Sequence, residues 1–293
     1  MMKRERLEKK VIPMQAQILR GAKGEFPDKR TLRKVDALIY ASLLFIDEFV
    51  YDYDYVFKGS KCKLQRAKMD YIRNSPDEEQ KRPTDGYKMV IYVEDIEESV
   101  KLNAFAKALR CEFHIPQKTM DKLPDNLPNL EVSDLKKNEK DVYEFLLNHF
   151  LHEILHMFGA YHDKSGIMSG VIKMFNENNE FKLVNELDQI SSRIVSESLY
   201  SQIIDPPFGD YEFDKNKRTI RISSDVEIKT VVFIKDSYYT NRFYFTKSFI
   251  FQCLVPEDSE WDTLLVQYLL GGILIYDKEE IYKNGAACRL RSR

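Results

Sequence analysis

The stretch Phe150-Leu-His152-Glu153-Ile-Leu-His156-Met-Phe-Gly159-Ala-Tyr-His162-Asp163 decides the reading of this chain. It holds three of the five histidines, and a fourth, His149, lies one helical turn upstream. Read as a helix, His152 and His156 are four apart and share a face, with Glu153 beside them. Gly159, three residues after His156, suits the left-handed position at which a helix ends. The turn there lets His162 approach from the far side. Three neutral imidazoles leave one tetrahedral position of Zn²⁺ open, the arrangement of a catalytic rather than a closed structural site.

The pattern H-E-x-x-H-x-x-G-x-x-H formed by these residues resembles that of the metzincin metalloproteases at all five fixed positions. Six residues past His162, Met168 in Ser165-Gly-Ile-Met168-Ser169 is placed for the methionine turn of that family. The resemblance implies one zinc per chain on His152, His156 and His162, with Glu153 as general base. Glu153 accepts the proton of a zinc-activated water and passes it to the leaving amine. Met168 is expected to form an apolar floor without ligating. No tyrosine follows Met168, so the extra tyrosine ligand of some metzincin branches is not expected.

Two branches of the family share features with this chain. Glu94-Asp95 followed by Asn103, Phe105 and Ala108 is similar to the archaemetzincins, whereas Asp163 and Ile167-Met168-Ser169 are closer to the adamalysins. The implied fold is α+β: a mixed sheet, an active-site helix, a methionine turn and a C-terminal helix, followed by a small β-rich module.

The chain has 293 residues, 43% hydrophobic and 12% aromatic, enough for a sizeable core in one or two domains. Its formal net charge of −2 gives no case for nucleic acid or an anionic membrane as partner. The first 34 residues are basic, with eleven Lys/Arg against four Asp/Glu, and read as a solvated arm. The N-terminus has no apolar signal core, and the longest apolar run, 263–276, is too short to span a membrane. Cys62, Cys111, Cys253 and Cys288 lack C-x-x-C spacing and read as reduced thiols of a cytoplasmic protein.

The organisation expected is a basic segment over 1–28, a zinc peptidase domain over 29–204 and a β-rich accessory domain over 205–293. A first strand falls within 11–20, with Pro13 restricting it to an edge or a strand start. A helix over 31–50 starts at Pro27-Asp28 and buries Val35, Leu38, Ile39, Leu43 and Ile46. Residues 51–86 read as an irregular connection, and 88–93 as a central strand. The spacing of Leu102, Phe105, Ala106 and Leu109 leans helical. The family resemblance instead implies strand–turn–strand over 102–115, with the edge strand along a substrate cleft. Residues 121–137 read as a loop, and the histidine helix as 139–158, capped within Asn138–Asp141. A further helix is expected over 183–200. Beyond Asp205-Pro-Pro-Phe-Gly209 come strands over 217–223, 227–234 and 242–253, a short helix over 261–270 and a strand over 273–276.

The remaining candidates have plainer readings. His149 is a supporting or satisfied histidine, His114 is structural, Tyr161 is a packing aromatic, and Cys62 has poor surroundings for a latency thiolate. The function expected is peptide-bond hydrolysis of a peptide or protein substrate. Two alternatives use the same residues: a catalytically silent, zinc-stabilised peptide-binding scaffold, and a metal-dependent amidohydrolase acting on a non-peptide substrate.

Overall fold

A computed structural model describes residues 14–20, 27–49, 87–95, 103–107, 110–127, 134–164, 166–169, 188–200, 209–268, 272–284 and 288–289. The expected connection over 51–86, Cys62 and most of the expected boundary at 205–209 lie outside them. The architecture is mixed α+β, with a four-stranded sheet in the first half and a six-stranded sheet in the second.

Strands β1 (Met14–Arg20), β2 (Tyr87–Glu94), β3 (Asn103–Lys107) and β4 (Arg110–Pro116) form the first sheet in the order β1-β2-β4-β3. β1, β2 and β4 run parallel, and β3 closes the edge antiparallel. β1 (from Met14) lies at the opposite edge, one of the two places expected for a strand next to Pro13. Where strand–turn–strand was expected over 102–115, the described residues form two antiparallel strands, β3 and β4, although side-chain spacing over 102–109 favoured a helix. β4 decides the matter: extended, with Cys111, Phe113 and Ile115 buried on alternate positions, it takes β3 as an antiparallel partner from Asn103↔His114 to Lys107↔Arg110.

Helix α1 (Lys29–Phe49) starts where Asp28 accepts the backbone N–H groups of Arg30 and Thr31, each at 2.8 Å. It buries Val35, Leu38, Ile39, Leu43 and Ile46 in the core that it shares with the first sheet and the histidine helix. A short helix α2 (Gln117–Asp121) follows β4, inside a stretch with no expected element.

The histidine helix α3 (Lys137–Met157) starts two residues earlier than expected. Of the stretch expected to cap it, Asn138–Asp141, Glu139 takes part. Lys136 stands at the cap position, and its backbone N–H is satisfied by the Glu139 carboxylate at 2.8 Å. Leu146, Leu147, Phe150, Leu151 and Ile154 face the main core, where Phe150 stacks on Phe113 with ring centroids 4.4 Å apart. This packing fixes the rotation of α3 about its axis and therefore the direction of its histidines.

Helix α4 (Gln189–Tyr200) begins at Gln189, where Asp188 accepts the Ser191 N–H at 2.7 Å. The earlier part of the expected helix, 183–187, lies outside the described residues.

The second sheet runs β10 (Cys288–Arg289), β5 (Gly209–Asp214), β6 (Thr219–Lys235), β8 (Thr263–Tyr268) and β9 (Ile273–Asp277), with β7 (Tyr238–Leu254) also paired to β6. β6 (Thr219–Lys235) and β7 (Tyr238–Leu254) are long, and β6 absorbs both strands expected over 217–234. The gap between the two expected strands, 224–226, coincides with a register irregularity between Ser223 and Ile228. β5 (Gly209–Asp214), helix α5 (Lys278–Asn284) and the short β10 (Cys288–Arg289) were not expected, whereas β9 (Ile273–Asp277) was.

The helix expected over 261–270 is instead strand β8 (Thr263–Tyr268). Leu264 and Val266 enter a core with Trp261 and Phe233, while Leu265 enters a separate cluster on the other face. A strand buried on both faces presents a continuous apolar run, which periodicity alone does not distinguish from helix.

That separate cluster joins Ile190 and Ile194 of α4 to Val232, Ile234, Tyr239 and Leu265 of the second sheet. It packs across the expected boundary between 204 and 205. Gln267 reinforces it by donating to the Ile194 carbonyl at 2.8 Å. Among the described residues, no helix is long and apolar enough to cross a membrane.

Candidate metal centre

Helical geometry sets the first two histidines, and the helix end sets the third. Gly159 has φ 95°, and the Gly159 N–H donates to His156 O at 2.8 Å while Ala160 N–H donates to Leu155 O at 3.0 Å. This pair of bonds is the Schellman termination, in which glycine avoids the clash of a Cβ with the backbone. The chain then reverses and carries His162 back over α3.

The Nε2 atoms of His152, His156 and His162 converge at 3.0 Å (His152–His156), 3.1 Å (His156–His162) and 3.2 Å (His152–His162). Lone pairs pointed at one another this closely repel unless something positive sits among them. The spacing also approaches the ~3.3 Å edge of a tetrahedron built on Zn–N bonds of ~2.0–2.1 Å. His156 donates Nδ1–H to Ala160 O at 2.7 Å, leaving its Nε2 free to ligate. His152 Nδ1 is buried without a hydrogen-bond partner; the Ile167 backbone beside it falls short of a full bond. The three histidines thus form a group able to hold a metal ion.

The electrostatics agree. Burial, then repulsion from His156 and His162, pushes His152 down from 6.5 to about 4. Burial also takes His156 to about 4, opposed by its bond to the Ala160 carbonyl, and lowers His162. All three are therefore neutral near pH 7, the state a metal requires of its ligands. Glu153, 9% exposed, is raised by burial from 4.5 to about 7.

The methionine segment is a single 3-10 turn, Ile167–Ser169. It is tied to the site where Asp163 N–H donates to Met168 O at 3.3 Å, and Met168 is fully buried in the main core. His149 is outside the triad; its Nδ1 bonds the Phe145 carbonyl of its own helix at 2.7 Å. His114 stacks on Tyr92, between Glu94 at 3.2 Å and Glu112 at 3.0 Å. Cys111 and Cys253 are free thiols. Tyr161 is half-buried, and its ring centroid lies 6.2 Å from that of Tyr239.

Sequence reading missed the contribution of the second sheet. His162 forms a parallel bridge with Tyr238: its N–H donates to Ser237 O at 3.1 Å, and its carbonyl accepts from Tyr239 N–H at 3.0 Å. The Tyr238 ring, 45% exposed, has its centroid 5.1 Å from that of His162. These residues lie more than seventy positions downstream in an ordinary aromatic strand, and no local pattern marks them.

No family model matches the sequence, and no curated protein matches it. Solved structures give a loose resemblance. Wild-type OgpA from Akkermansia muciniphila, in one crystal form, is 13% identical with a TM-score of 0.48, over 93% of this chain and 95% of that chain. A second crystal form gives 13% identity and a TM-score of 0.46, over 99% and 98%. A catalytically inactive OgpA in complex with an O-glycopeptide (glycodrosocin) substrate gives 12% identity and a TM-score of 0.49, over 97% and 96%. At such values the likeness decides neither fold nor activity, and the histidine geometry stands by itself.

Proposed function

We propose that this protein is a zinc-dependent metallopeptidase, resembling the metzincins, that hydrolyses peptide bonds in a peptide or protein substrate. The observation that carries the reading is the convergence of three Nε2 atoms within 3.0–3.2 Å; Glu153, next in sequence to His152, is a buried acid. His152, His156 and His162 hold one zinc ion. When bound, the ion supplies Lewis acidity, polarising a carbonyl and acidifying water.

The protein's own residues do the rest. Glu153, raised to about 7 by burial, is matched to taking a proton from water and returning it to the leaving amine near neutral pH. Its neighbour His152 is fixed by α3, so the acid keeps a constant position relative to the ligands. Ala160 holds His156 in the ligating tautomer. The exposed ring of Tyr238 walls the site beside His162.

Metal analysis of the purified protein, with cleavage of a peptide library by wild type and Glu153→Gln, tests this reading. About one zinc per chain is expected, with cleavage falling by at least ~10²–10⁴-fold in the variant. Zinc-loaded wild type that cleaves nothing across the library would overturn the peptidase reading. Absence of zinc binding would overturn the metal site itself.

A further inference from the structure

Helix geometry places His152 and His156, but His162 lies beyond the helix end, on a segment with no regular structure of its own. What holds it comes from the second sheet. We infer that Tyr239 is a positioning residue for the third metal ligand, acting through the backbone of Tyr161 and His162. The inference rests on the metal-site reading and not on the identity of the substrate.

Two kinds of contact converge on the segment. The Tyr239 main chain donates to the His162 carbonyl at 3.0 Å, and its phenolic oxygen accepts the Tyr161 N–H at 2.8 Å. One residue thus grips the peptide units on either side of the one that joins Tyr161 to His162, fixing both the position and the tilt of the His162 backbone. The grip is firm because the Tyr239 ring is 4% exposed, packed with Ile190, Ile194, Val232, Ile234 and Leu265.

The phenol is also anchored from behind. Its oxygen lies 3.3 Å from Ser191 Oγ, and the Ser191 N–H is held by the Asp188 carboxylate at 2.7 Å. A chain of polar contacts therefore runs from the cap of α4 through Ser191 and Tyr239 to the residue preceding His162. Such outer contacts typically change metal affinity by ~10–100-fold when removed, because a ligand that must be reordered binds less tightly.

The test uses full-length protein carrying Tyr239→Phe, which keeps the buried ring and removes only the phenolic oxygen. Tyr143→Phe is the control, since Tyr143 is buried in the main core, away from residues 161 and 162 in the chain. Zinc affinity is measured by competition with a chromophoric chelator, alongside the d–d absorption of the Co²⁺-loaded proteins. Tyr239→Phe is expected to weaken zinc binding by ~10–100-fold and to alter the Co²⁺ spectrum, with Tyr143→Phe matching wild type in both. Wild-type affinity and spectrum in Tyr239→Phe would overturn the inference, as would an equal loss in Tyr143→Phe. Should Tyr239→Phe fail to fold, Ser191→Ala carries the test: weaker zinc binding supports the positioning role, and unchanged binding overturns it. Failure of wild type to bind zinc sinks the metal site itself, a separate outcome.

Discussion

His156 donates its Nδ1–H to the carbonyl of Ala160 at 2.7 Å, so the nitrogen it turns toward His152 and His162 carries a lone pair. That carbonyl is presented by the turn at Gly159, whose φ of 95° suits glycine. Gly159→Ala is expected to cost at least ~1–2 kcal/mol of stability, since a Cβ is disfavoured on the left-handed side. It should also weaken zinc binding by displacing the Ala160 carbonyl. Thermal melts of metal-free protein and a chelator competition check the two effects separately, and an unchanged melt would contradict the strain argument.

His162→Ala should remove tight zinc binding, because two helix histidines alone leave the ion too open. The competition assay should then show no binding at chelator concentrations that wild type withstands. Retention of wild-type affinity would make another residue the third ligand, with His149 the first to mutate.

Glu153 gives a pH signature in metal-stripped protein. Burial raises its carboxyl from 4.5 to about 7, so the folded state binds that proton more tightly than the unfolded chain does. The stability this contributes is fully present below pH 4.5 and is lost as pH rises through about 7. Glu153→Gln lacks the titration, so its advantage over wild type should grow between those values and then level off. The histidines act in the opposite sense. Held down, to about 4 for His152 and His156, they contribute stability above pH 6.5 that is lost as pH falls through 4, and this cancels between the two proteins. Melts of both proteins in chelator across pH 4–8 read the difference, and a flat difference would mean that the carboxylate is well solvated.

Truncation after Ile204 tests the expected division of the chain. It would strip α4 of Val232, Ile234, Tyr239 and Leu265 and release the His162 backbone from Ser237 and Tyr239. The fragment is expected to aggregate or to bind zinc far more weakly than the full chain, as sedimentation and metal titration would reveal. A soluble fragment with full zinc affinity would make residues 205–293 a true accessory domain.

The first half of the fold was legible because its signals are local. Asp28 and Gly159 mark helix ends by their own chemistry, and the apolar stripes of α1 and α3 repeat at helical spacing. The histidine cluster was legible for the same reason, since its three members fall within eleven residues. Two kinds of feature were not. β8 is buried on both faces, so Leu264, Leu265 and Val266 give no alternation to mark a strand. Tyr239 and Ser191 matter through contacts made only after the chain has folded; Tyr161 and Tyr239 are 78 positions apart.

That separation has a consequence for the order of events as the protein is made. The two helix histidines can be aligned as soon as α3 forms, within one short stretch of chain. The third has its full set of restraints only after residue 239 has been synthesised and the turn at Asp236 and Ser237, both at positive φ, has brought β7 back along β6. Closing so long a loop belongs to the slower part of folding. Tight metal capture is therefore expected to be a late step, and a half-made chain carries the whole histidine motif without a finished site.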